Sequence, residues 1–128
     1  MKSAFAGAAI FFLSPFAHAE SIYCYFTEPF LKAQYISDTN KILLSSPEHG
    51  SAELDAKIEF QKQGVIRISA VGFNYYLDVN TLKEGSDGMS DIIYPFEGVV
   101  VSEKLYGGCE TDTLKGQDPN APANNTKK

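Results

Sequence analysis

From Ser21 to Cys109 apolar side chains recur at nearly every second position, and turn-forming clusters are all that interrupt them. No stretch carries the 3.6-residue stripe of an amphipathic helix. Alternation of this kind gives an extended chain one face for a core and one for water, so it dictates short antiparallel strands. Ile22, Cys24 and Phe26 share one face of a first strand. Glu28-Pro29 interrupts it, and Leu31, Ala33 and Tyr35 resume the pattern within Phe30 to Ser37. Ser37-Asp38-Thr39-Asn40 is a turn cluster, Lys41 to Ser46 a third strand, and Pro47-Glu48-His49-Gly50 its end.

The middle of the chain is more ambiguous. Leu54, Ala56, Ile58 and Phe60 alternate with polar residues, which predicts a half-buried strand over Ala52 to Gln63. The same residues have fair helix propensity, so a short helix over Ser51 to Lys57 is the alternative. Val65 to Val71 buries even positions (Ile66, Ile68, Ala70), whereas Phe73, Tyr75, Leu77 and Val79 are odd. A parity change at Gly72 implies a tight turn or a bulge. Ile92 to Ser102 reads as a strand with Pro95 at an edge or bulge, and Lys104 to Glu110 as the last strand. Most of the aromatic residues are expected in the core, Phe26 and Phe73 by their parity. Tyr23, Tyr25 and Tyr76 fall on the outward parity and suit a contact patch. About eight such strands predict an all-β fold, a small antiparallel barrel, with a two-sheet β-sandwich as the alternative.

The ends are of a different kind. Lys2, the apolar run Ala4 to Leu13 and the small-x-small site Ala17-His18-Ala19 predict a signal peptide over 1–19, cleaved after Ala19. The run is short for a membrane span, and no lipoprotein cysteine follows the cleavage point, so no membrane anchor is expected. Gly116 onward offers no apolar face, which predicts a domain over 20–115 and a disordered tail over 116–128. The expected destination is the periplasm or the medium. The only two cysteines, Cys24 and Cys109, flank the domain, and in an oxidising compartment such a pair reads as a disulfide. The loop it closes is long enough for about 4–5 kcal/mol on the chain-entropy model.

The formal net charge is −5, and removal of Lys2 with the leader makes it one unit more negative. That balance argues against a nucleic-acid surface, which needs clustered Lys and Arg, and tolerates a basic protein partner. Catalytic chemistry has little to work with. His49 is the one histidine after the leader, it sits in a turn, and no nucleophile elbow or phosphate loop is present. With both cysteines paired, no zinc set remains, and neither a metal nor a cofactor is expected. Glu28, Asp87, Ser90 and Asp91 are the candidate ligand-binding groups. Ser86-Asp87-Gly88-Met89-Ser90-Asp91 gathers carboxylates and hydroxyls as a hydrogen-bonded loop of fixed shape would. Asp87 and Asp91 could offer oxygens to a calcium ion, but their spacing is not that of an EF-hand.

Two segments together resemble a known family. Thr27-Glu28-Pro29-Phe30 is similar to the "TEPFW" opening of an uncharacterised family of bacterial envelope proteins. Ser86 to Asp91, Tyr94-Pro95-Phe96 and Gly108-Cys109 are similar to its "CSDGMSDR-YPF … GC" ending, and the resemblance spans Tyr23 to Glu110. Leu31, Gly85 and Ile92 stand where the family has tryptophan, cysteine and arginine. The missing cysteine implies that Cys109 has changed its partner to Cys24. The resemblance implies an envelope role by association with META-type and lysozyme-inhibitor domains, and no activity. The expected function is an exported, non-enzymatic β-domain that binds an envelope ligand or protein. The alternatives are a lysozyme-inhibitor-like protein, whose partner is a basic lysozyme, and a carboxylate- or metal-dependent hydrolase.

Overall fold

The alternation resolves into eight strands in a computed structural model that describes residues 20–120. They are β1 (Ile22–Thr27), β2 (Phe30–Ile36), β3 (Lys41–Ser46), β4 (Gly50–Lys62), β5 (Val65–Ala70), β6 (Tyr76–Asn80), β7 (Phe96–Val100) and β8 (Leu105–Thr111). Each pairs antiparallel with its neighbour in sequence, and β8 returns to β1, so the sheet is a closed barrel with no free edge. Closure, and not a two-sheet sandwich, is how this chain satisfies its outermost strands.

Every second residue fills the interior. Ile42, Ile68, Leu77, Val79 and Val100 are fully buried there with the Cys24–Cys109 disulfide. The two cysteines lie opposite each other where β1 meets β8, so the bridge fastens the strands that close the sheet. Gly98 makes room for it: a Cβ at that position would stand 2.5 Å from Cys109 Sγ. No helix among the described residues is long and apolar enough to cross a membrane.

Four expectations change. Residues 51–57 are strand and not helix, but the alternation over β4 does not run through. A register shift between Ile58 and Phe60 turns Phe60 onto the outer face, level with Arg67. There the Arg67 guanidinium lies 5.2 Å from its ring. The shift also leaves Ile58 39% exposed. The strand expected over Ile92 to Ser102 contracts to β7, flanked by a loop before it and a 3-10 turn, Val101–Glu103, after it. Phe30 and Phe73 are 51% and 58% exposed and do not build the core.

The fourth concerns the tail. Residues 116–120, expected to begin it, lie back on the barrel: Gln117 bridges Ile93, and the Gly116 N–H donates to Glu110 Oε1 at 2.8 Å. Backbone pairing holds them where apolar burial could not. The signal-peptide segment 1–19 and the rest of the tail, 121–128, lie outside the described residues.

Candidate functional site

The connection from β6 to β7 is the longest in the fold, and it wraps the outside of the barrel across β8 towards β1. Asp87 organises its centre. One carboxylate oxygen accepts the N–H groups of Met89 (2.9 Å) and Ser90 (2.8 Å). The other accepts the hydroxyls of Ser90 (2.7 Å) and Tyr94 (3.2 Å). Burial acts to raise the Asp87 pKa, but these four donors outweigh it and hold the carboxyl below its ordinary value. Ser90 Oγ in turn accepts the Ile92 N–H. Asp87 and Ser90 therefore shape the loop, and their polar atoms are taken up in doing so.

Tyr94 fastens the loop to the wall. Its ring is buried on the outer side, tilted against Tyr25 with centroids 5.5 Å apart. It occupies the space that a side chain at position 108 would need, so the wall accepts it only because Gly108 has none. Tyr25 continues the network by donating its hydroxyl to Glu110 at 3.2 Å. Burial first, then the Glu110 charge and that hydrogen bond, push the Tyr25 pKa up to about 12.

The two sequence motifs meet in space. Gly88 rests against Thr27: a Cβ on Gly88 would stand 2.8 Å from Thr27 Oγ1. Between the β1–β2 turn, the end of β3 and this loop lies an open cleft of about 560 Å³. Phe30 and Met89, the latter 67% exposed, stand in its sides. Phe26, Leu31, Pro47 and the Tyr25 ring continue the apolar lining, and Lys32, Ser45 and Ser46 add polar groups. A smaller hollow of about 290 Å³ shares Phe30, Leu31, Ser45 and Ser46 with it and opens over the barrel mouth. Tyr75 lines that hollow; its hydroxyl is buried without a hydrogen-bond partner. Burial, and then the Glu103 charge, push its pKa up to about 12.

The candidate residues divide. Asp87 and Ser90 line the cleft, whereas Glu28 and Asp91 do not. Glu28 is exposed on the two-residue turn between β1 and β2. Asp91 accepts the Asn120 Nδ2–H at 2.9 Å and so ties residue 120 to the loop. Among the described residues no three His, Cys, Asp or Glu side chains gather where a metal could be held. Sequence reading missed Phe30 and Met89 as exposed walls. The signal for Phe30 was present, since Leu31, Ala33 and Tyr35 take the inward positions of β2 and leave Phe30 outward by parity.

The chain matches no protein-family model, no curated protein and no solved structure in comparisons with each. Its own geometry bears on the family-like positions. Gly85 lies against the backbone of Phe96 and Gly107 on the outer side of the wall, while Cys109 points inward to Cys24. A side chain at 85 and Cys109 are on opposite sides of the sheet. Ile92 is partly buried against Gly116, where an added Cβ would stand 2.6 Å from Ile92 Cγ2.

Proposed function

We propose that this is an exported, non-enzymatic binding domain of the bacterial cell envelope, and that the cleft between the β1–β2 turn and the 86–91 loop takes its ligand. One observation carries the reading. Phe30 and Met89 hold large apolar surface in water on either side of a concavity whose outline the Asp87 hydrogen bonds fix. Exposed apolar surface in a pre-formed hollow is the ordinary mark of a binding site. Export is supported by the leader-like residues 1–19 and by the buried disulfide. A non-catalytic role is supported by Asp87, whose oxygens are engaged by four donors and so are poor candidates for a general base. Kinship with the "TEPFW" envelope family is part of the same proposal, supported by the convergence of both motifs on one cleft.

A titration with the neutral dye Nile red tests the reading. Saturable emission is expected from the folded protein at micromolar concentration. Met89→Asp should abolish it without altering the far-ultraviolet circular dichroism. A folded parent that takes up no dye would remove the proposal. The acidity of the chain favours one second reading, an inhibitor of a basic lysozyme. That reading requires slower lysis of cell walls when micromolar protein is added to the lysozyme, and unchanged lysis excludes it.

A further inference from the structure

We propose that the occupant of this cleft is a single-chain anionic amphiphile, a fatty-acid carboxylate, with its chain along Phe30, Leu31 and Met89 and its head group at Lys32. The inference rests on the cleft being the binding site and adds the class of ligand.

Charge is the first argument. Two charged side chains line the cleft, Lys32 and Asp87. The Asp87 charge is already answered by four hydrogen-bond donors from its own loop. Lys32 makes no ion pair among the described residues, and its ammonium stands 5.8 Å from the Tyr25 ring centroid, at the rim. Ser45 lies directly across the β2–β3 register from Lys32 and lines the same cleft, so a hydroxyl donor accompanies the cation. Locally, an ammonium without an ion-pair partner beside a hydroxyl selects an anionic head group, against the net negative charge of the chain as a whole.

Shape and topology are the second. The volume of about 560 Å³ lies within the range for small-molecule sites, and the hollow over the barrel mouth continues it around Phe30. A flexible chain can follow such a bent, apolar path. An extended peptide is poorly served, because it binds by adding a strand to a free sheet edge and this barrel is closed. The surface that the lining exposes is mainly apolar, although half of its side chains are polar, and apolar surface rewards hydrocarbon.

Calorimetric titration of the exported protein with three twelve-carbon ligands below their micelle concentrations tests the proposal: laurate, 1-dodecanol and dodecyltrimethylammonium. Laurate is expected to bind saturably and at least about tenfold more tightly than the other two, a difference of about 1.4 kcal/mol. Lys32→Ala should bring laurate to the level of dodecanol and leave dodecanol itself unmoved. Lys32 is exposed, so a folding defect is not expected, and Lys32→Glu provides a second variant that should lower laurate further. Equal affinity of the parent for all three ligands would overturn the head-group assignment while leaving the apolar cleft intact. A laurate preference that survives in both lysine variants would overturn it as well. Failure of all three to bind would overturn the cleft reading too.

Discussion

The wall formed by β7, β8 and β1 and the wall formed by β4, β5 and β6 belong to one closed sheet, yet they are stabilised in opposite ways. On the first, strands come together where side chains are missing. Gly98 admits the disulfide inside the barrel, and Gly108 admits the Tyr94 ring outside it. On the second, side chains meet over the outer surface. Arg67 donates from Nε and one terminal nitrogen to the two Asp78 oxygens at 2.7 and 2.9 Å, and its guanidinium lies 5.2 Å from Phe60 and 5.3 Å from Tyr76. A wall built on absent side chains should tolerate no additions. One built on surface contacts should tolerate losses.

The disulfide should show the largest effect. Replacing Cys24 and Cys109 together by alanine removes a cross-link over 85 residues of sequence separation. About 4–5 kcal/mol of stability should go with it on the chain-entropy model, read from the urea midpoint. Next is Gly108→Ala, whose added methyl contests the space of the Tyr94 ring and should cost about 1–3 kcal/mol. Tyr94→Leu in the same chain should recover part of that cost, because the obstructing ring is gone. Independent effects of the two substitutions in a double-mutant cycle would break the account of this wall.

The barrel was legible in the sequence because alternation with period two reports directly which face is buried, as Ile22, Cys24 and Phe26 illustrate. The disulfide was legible for a different reason, the count of cysteines. The bulge at Glu59 was not. It adds one residue without any glycine or proline to mark it, and Glu59 is then held by the Ser69 hydroxyl, which lies ten positions away in sequence. The loop before β7 was half legible. Its density of Asp and Ser announced a fixed shape, and Asp87 supplies it. What faces the cleft was hidden, because Met89 is exposed by the path of the loop towards β1, and that path depends on Tyr94 packing over Gly108, a residue of β8 and not of the loop.

Alkaline titration sharpens the contrast. The folded-state pKa of Tyr25 is raised from the usual 10 to about 12, so the folded protein holds a proton that the unfolded chain has begun to release. Its contribution to stability is complete below pH 10 and is lost as the pH rises through about 12. Tyr25→Phe should therefore flatten the fall in stability over that window, followed by urea midpoints at successive pH values. An unaltered slope would separate Tyr25 from the wall it is said to hold.

Phe60→Ala gives the smallest effect and the strictest comparison. The ring would be a core residue if the alternation of β4 ran through without interruption, and its removal would then cost about 3–5 kcal/mol. The register shift places it outside, over a guanidinium already held by Asp78. Its loss should cost only about 0.5–1 kcal/mol, the size of an exposed cation–π contact. Arg67 keeps both bonds to Asp78 and its approach to Tyr76, so the outer surface of this wall is depleted without being undone. A loss of about 3–5 kcal/mol, read from the urea midpoint, would return Phe60 to the interior and remove the bulge from β4.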